Sequence, residues 1–152
     1  MIIMNTTMES AMSDFFNQVD KAMNEMIAKT KKMIESDENS VNSYKISGNL
    51  IDTFPKEIVG YTNLDKLEIT NTNIKTIPSS IGNLTRLKEL NLSNNQINNL
   101  PESLGNLDSL KFLNIERNPI KKLPANLCKR WRQGEIKIKS KIGYNSLCGN
   151  RP

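Results

Sequence analysis

The sequence predicts an α/β repeat solenoid, and three observations predict it. Counting back from Leu110 in steps of 23 residues reaches Leu87, Leu64 and Val41, and the pattern around each recurs. In that register the chain reads VNSYKISGNLIDTFPKEIVGYTN, LDKLEITNTNIKTIPSSIGNLTR, LKELNLSNNQINNLPESLGNLDS, LKFLNIERNPIKKLPANLCKRWR. Each copy opens with apolar residues at alternating positions and carries an apolar–Pro pair in its second half. A unit of this length cannot bury its apolar face alone, so neighbours stack around one continuous core.

Ahead of the repeats, residues 6–36 predict an amphipathic helix within a first segment, residues 1–40. Thr6-Thr7-Met8-Glu9 fits a capping box. Met12, Phe16, Val19, Met23, Met26, Thr30 and Met33 then form one stripe, widened by Phe15, Ala22, Ile27 and Ile34. Glu9 and Asp14 lie early and Lys29, Lys31 and Lys32 late, as the helix dipole favours. The plainest reading makes this helix a cap over the apolar edge of the first repeat. It competes with pairing to another helix, in a dimer or a partner protein. A membrane-surface helix is disfavoured, because the polar face is not enriched in Lys and Arg. Ser36-Asp37-Glu38-Asn39-Ser40 reads as a polar hinge.

Residues 41–132 hold four full repeats. Their fourth and sixth positions are Tyr44 and Ile46, Leu67 and Ile69, Leu90 and Leu92, Leu113 and Ile115, an alternation that puts both side chains on one face of a short strand. The first and eleventh positions add Val41 and Ile51, Leu64 and Ile74, Leu87 and Ile97, Leu110 and Ile120. Phe54-Pro55, Ile77-Pro78, Leu100-Pro101 and Leu123-Pro124 then turn the chain, with Ile58, Ile81, Leu104 and Leu127 following. Proline fixes φ and donates nothing to a ladder, which suits an outer arc of irregular or 3₁₀ turns. Residues 133–152 read as a C-terminal half-repeat and basic cap. Ile136 and Ile138 would face the core of a fifth strand, and Lys137 and Lys139 would place charge beside its open edge. Trp131 falls outside the register and is expected to cover the end of the core.

The motifs L-x-x-L-x-L-x-x-N-x-I and I/L-P-x-x-I/L-G-N-L identify residues 41–132 as similar to leucine-rich repeats. The stretch resembles the intracellular Ras-suppressor and plant Ras-group-related type of 23-residue repeat. The resemblance implies that the ninth position, here Asn49, Thr72, Asn95 and Asn118, ties coil to coil through its side chain. Thr72 departs from the pattern, though its hydroxyl can make one such bond. The resemblance also implies protein binding, with a small GTPase or phosphatase pathway as the partner class. The fold by itself does not choose among partners.

Charge is unevenly placed. Residues 1–40 hold 4 basic and 7 acidic side chains, residues 41–120 hold 8 of each, and residues 121–152 hold 9 basic and 1 acidic. The basic end admits an anionic surface or nucleic acid as a ligand. No helix-turn-helix, zinc-finger or aromatic-stacking motif accompanies it, so nucleic acid is disfavoured. Met1-Ile2-Ile3-Met4 is too short for an export signal, and no stretch approaches a membrane span. A cytoplasmic chain with Cys128 and Cys148 as reduced thiols is therefore favoured, or the host cytoplasm for a pathogen or viral effector; the one pairing these two cysteines permit stays open, because spacing does not give its geometry. The sequons at Asn5, Asn83 and Asn91 are then without consequence.

With 0 histidines, His-based triads and His-metal sites are excluded, and neither a Walker loop nor a clustered metal-ligand set is present. No enzyme activity and no cofactor are expected. The function expected is that of a non-enzymatic adaptor, regulator or effector, monomeric or dimeric through the N-terminal helix; the alternatives are a self-assembling scaffold through that helix and an anionic-surface or nucleic-acid binder through the basic C-terminal end. A partner would dock on the concave strand face, whose outward residues form columns. The third position gives Ser43, Lys66, Glu89, Phe112 and Glu135, and the fifth Lys45, Glu68, Asn91, Asn114 and Lys137. The seventh gives Ser47, Thr70, Ser93, Glu116 and Lys139, and the eighth Gly48, Asn71, Asn94, Arg117 and Ser140. Phe112 stands out as an aromatic directed outward, either to meet a partner or to fold over a neighbouring strand as local packing, and Arg117, Glu89, Asn91, Asn114, Asn94, Glu116, Lys66 and Glu68 complete the expected site.

Overall fold

A computed structural model describes residues 12–21, 23 and 42–149. The chain divides into two compact units, Met1–Glu38 and Asn39–Pro152. In the first, residues 12–21 and 23 are helical, and the rings of Phe15 and Phe16 meet edge-on at 6.1 Å. The capping box, the stripe beyond Met23 and the hinge lie outside the described residues.

In the second unit, alternating apolar residues produce a parallel sheet. Its strands among the described residues are β1 (Ser43–Ser47), β2 (Lys66–Thr70), β3 (Glu89–Asn91), β4 (Phe112–Asn114) and β5 (Lys137–Lys139), in sequence order. Tyr44 pairs with Leu67, Leu67 with Leu90, and Leu90 with Leu113, so the sequence period is also the register. Every inward leucine thus stacks on its counterpart one coil away. Leu64, Leu67, Ile69, Leu87, Leu90, Leu92, Leu110 and Leu113 are fully buried. At the β1 end, Tyr44, Ile46 and Ile51 are only partly buried. Tyr44 stacks on Tyr61 at 5.9 Å, and burial raises its phenol above the usual range.

The outer arcs are 3₁₀ turns at Lys56–Gly60, Ser79–Asn83 and Glu102–Asn106, each entered through a proline in extended conformation. Ile58, Ile81 and Leu104 point inward from them and are fully buried. The glycine of the I/L-G-N-L motif permits close stacking of arcs. A Cβ on Gly105 would lie 2.8 Å from that of Asn126 in the next arc, closer than real carbons approach.

That next arc differs. After Pro124 the chain forms an α-helix, α1 (Ala125–Arg132), and Gln133 and Gly134 then turn it toward β5. The longer path shifts the last strand. Leu113 pairs with Ile138, and Phe112 pairs with Lys137. The register expected from the repeat set Ile136 opposite Leu113, so β5 is displaced by two residues and Glu135 leaves the outward column. Ile136 is buried and Ile138 half-buried, so both still close the core.

A short helix, α2 (Tyr144–Cys148), completes the cap, and its Leu147 is 1% exposed. Cys128 on α1 and Cys148 on α2 are joined in a disulfide with Cα atoms 5.6 Å apart. The expectation of two reduced thiols is corrected. The α1–α2 packing brings together positions 20 residues apart, which spacing alone did not reveal. Trp131 packs against the core edge and meets Tyr144 edge-on at 5.2 Å. Arg130, within a run of basic residues, is buried, and its guanidinium donates to the carbonyls of Leu107 (2.8 Å), Asp108 (3.2 Å) and Leu110 (2.6 Å).

The side-chain ladder forms from Thr72 onward. The Asn95 carbonyl oxygen accepts from the backbone N–H of Thr72 (2.9 Å) and from its hydroxyl, while its amide donates to the carbonyls of Ile69 and Leu92, both at 2.8 Å. Asn118 repeats the donor half, giving to the Leu92 carbonyl (2.7 Å), but accepts from the N–H of Ile97 (3.0 Å), at the eleventh position rather than the ninth. Thr72 therefore fills its place by donating to the next rung. Asn49 is exposed and takes part through its backbone carbonyl, which accepts from Asn73.

Candidate protein-binding face

The outward residues of the sheet form columns because parallel strands in register align their side chains. One column runs Ser43, Lys66, Glu89, Phe112, Lys137, and the next runs Lys45, Glu68, Asn91, Asn114, Lys139. The two-residue displacement of β5 puts Lys137 where Glu135 was expected. Glu135 instead pairs with Arg130 at 3.7 Å. Ser140 does not continue the eighth column; its hydroxyl accepts from the Ile142 N–H.

Toward β1 the charges neutralise one another. Lys45 meets Glu68 at 3.3 Å, Lys66 meets Glu68 at 3.1 Å, and Lys66 meets Glu89 at 3.4 Å. The Lys66 ammonium holds the Glu68 carboxyl below its ordinary range, and Glu68 in turn raises Lys66. Such exposed pairs contribute little to stability. They do leave this half of the face electrically quiet.

Toward β5 the face changes character. Phe112 is half-buried between Glu89 and Lys137. Glu116 is matched by Lys139 at 2.9 Å. Among the described residues no carboxylate pairs with Lys137 or Arg117. Two expected contact residues are structural instead. The Asn114 side chain is buried and accepts from the Glu116 N–H (3.1 Å), and Asn91 accepts from the Ser93 N–H in the same way. Thr70 and Ser93, placed among the outward residues, are buried too.

The eighth column shows a backbone requirement. Asn71, Asn94 and Arg117 adopt φ of 56°, 58° and 55°. Asparagine tolerates this left-handed region, whereas for other L-residues it costs on the order of 1–2 kcal/mol. Arg117 is exposed, and its guanidinium donates to Asn94 at 3.2 Å. One weak exposed hydrogen bond does not offset the strain, and residues held in such conformations concentrate where a side chain is needed for function.

Residues 62–120 match the family model described as leucine rich repeat. The leucine-rich repeat architecture is shared with solved structures. The chain is similar to a leucine-rich repeat protein of Leptospira interrogans, at 23% identity over 72% of this chain and 34% of that one, with a TM-score of 0.55. It is also similar to an internalin of Listeria monocytogenes, at 23% identity over 69% of this chain and 30% of that one, with a TM-score of 0.52. At such identity the likeness is one of fold. The chain spans about a third of the length of these relatives. No curated protein matches it. Leucine-rich repeat proteins generally mediate protein–protein interaction and are typically non-enzymatic. Among the described residues no cluster of metal-ligating side chains occurs, and no helix is long and apolar enough to cross a membrane.

Proposed function

We propose that the chain is a non-enzymatic adaptor, regulator or effector that binds a partner protein on the concave strand face, centred on Phe112. The observation that carries this reading is the contrast along the face. Lys45, Lys66, Glu68 and Glu89 satisfy one another, whereas Phe112 stands beside Lys137, and further along the same coil Arg117 is exposed; no carboxylate answers either charge among the described residues. Aromatic and arginine side chains dominate interface energies. A partner segment with an apolar side chain flanked by carboxylates fits such a patch. The Ras-suppressor resemblance adds a small GTPase or phosphatase pathway as one source of that partner.

Affinity capture from a native lysate tests the site with two variants. Phe112→Ala weakens capture by about 2 kcal/mol or more. Arg117→Asn also weakens capture, yet raises folding stability by about 1 kcal/mol because it relieves the left-handed strain. Loss of binding in a variant more stable than the wild type excludes unfolding as the cause. Equal capture by all three proteins would move the site elsewhere.

The finer architecture belongs to the same proposal: four repeats over 41–132, a half-repeat and basic cap over 133–152, and an amphipathic helix within 1–40 that covers the first repeat. Its support is the apolar stripe through Met12, Phe16, Val19 and Met23. The solution mass of the full chain and of one starting near residue 38 tests the cover. A soluble monomer on trimming a larger oligomer would favour assembly through the helix instead. The Cys128–Cys148 pair supports a compartment that permits disulfides over the cytoplasm expected from the sequence. Thiol labelling of the native protein decides between them, free thiols restoring the cytoplasm.

A further inference from the structure

The C-terminal cap contains a cleft of about 300 Å³ lined by Lys122, Leu123, Ala125, Cys128, Lys129, Arg132 and Cys148. We propose that this cleft is a binding site for a doubly charged tetrahedral oxyanion, a phosphoryl or sulfuryl group. It is separate in its residues from the strand face and does not rest on that reading.

The lining follows from local geometry. Ala125, Cys128, Lys129 and Arg132 lie on one face of α1, spaced three or four residues apart. Lys122 enters from the segment before the helix, and the disulfide brings Cys148 into the lining beside Cys128. Three cationic residues thus line one small concavity. Glu135 is the 1 acidic residue between positions 121 and 152, and it pairs with Arg130. Among the described residues no carboxylate lies within ion-pair distance of Lys122, Lys129 or Arg132. Like charges gathered along one wall repel one another, and an anion between them turns that repulsion into attraction.

The donor set suits a tetrahedral oxyanion. A guanidinium presents a planar fork to two oxygens, and ammonium groups serve as point charges for the rest. Arg132 is held by Tyr144. Its Nε–H donates to the Tyr144 hydroxyl at 2.9 Å, and its guanidinium carbon lies 5.8 Å from the centre of the Tyr144 ring. The volume stands at the low end for ligand pockets, which matches a small anionic group.

The test uses the full chain at low ionic strength. Inorganic phosphate and inorganic sulfate are titrated separately while backbone amide shifts are followed by NMR. Saturable shifts confined to residues 122–132 and 144–148 are expected, and the tighter anion identifies the group the site prefers. Lys129→Ser/Arg132→Ser should weaken binding at least tenfold, and Lys137→Ser/Lys139→Ser should leave it unchanged. Because the mapping in the wild type needs no variant, a poorly folded mutant does not rescue or sink the proposal. Shifts that never saturate, or that spread equally over Lys137, Lys139 and Lys141, would overturn it.

Discussion

Replacing Arg130 by methionine is expected to destabilise the C-terminal coil by about 3 kcal/mol, since each buried acceptor left without a donor costs roughly 1–3 kcal/mol. The Arg130 guanidinium donates to the carbonyls of Leu107 and Asp108 in the preceding coil and of Leu110 at the start of its own. Leu107 keeps the Leu110 N–H as a donor, so Asp108 and Leu110 are the acceptors left without one. Methionine refills much of the volume, so the loss reports the hydrogen bonds together with the Glu135 pair at 3.7 Å, which as a half-exposed contact adds little. Arg130→Lys retains the charge but not the planar fork, and it should recover only a minor part. A solenoid is held by neighbour contacts, so the damage should be local. Urea unfolding followed by circular dichroism reads the total. Hydrogen exchange should show protection lost first across residues 107–148 and last in β2 and β3. A methionine variant within about 0.5 kcal/mol of the wild type, the range of an ordinary surface change, would show the arginine to be incidental.

The second large effect is expected at Asn95. Its side chain joins coils through the Thr72 N–H and hydroxyl and through the carbonyls of Ile69 and Leu92. Asn118 also donates to the Leu92 carbonyl, so truncation leaves Ile69 and Thr72 as the groups without a partner. Asn95→Ala should cost about 3 kcal/mol on that count, with wide scatter for buried polar deletions. The chain itself supplies the control. Thr72 occupies the same place one coil earlier, so Asn95→Thr keeps one bond and should lose less than Asn95→Ala. Equal losses in urea would mean that packing, not hydrogen bonding, sets the penalty.

Both predictions rest on groups with different legibility in the sequence. The ladder position of Asn95 is visible in the chain, because it recurs at fixed spacing with Thr72 and Asn118. Arg130 carries no such mark. It lies between Lys129 and Arg132 in what reads as a solvated charge run, and only the packing of α1 against the preceding coil shows that one of the three points inward. The candidate face divides in the same way. Phe112 was legible as an outward aromatic, since alternation in a strand is a local property. Its neighbour Lys137 was not, because the length of α1, rather than the repeat period, sets the register of β5.

The sequence by itself determined the repeat, the parallel register of β1 to β4, the inward leucines and the 3₁₀ character of the first three arcs. Those features follow from periodicity: a side chain's place in its own unit decides which face it occupies, and each unit sees the same neighbours. The tertiary structure alone decided what happens where the period ends. There the displaced β5, the buried Arg130, the Cys128–Cys148 pair and the cationic cleft all arise from one cause. After residue 132 the 23-residue pattern stops, and α1 and α2 pack on the coil with contacts between positions that no internal spacing relates.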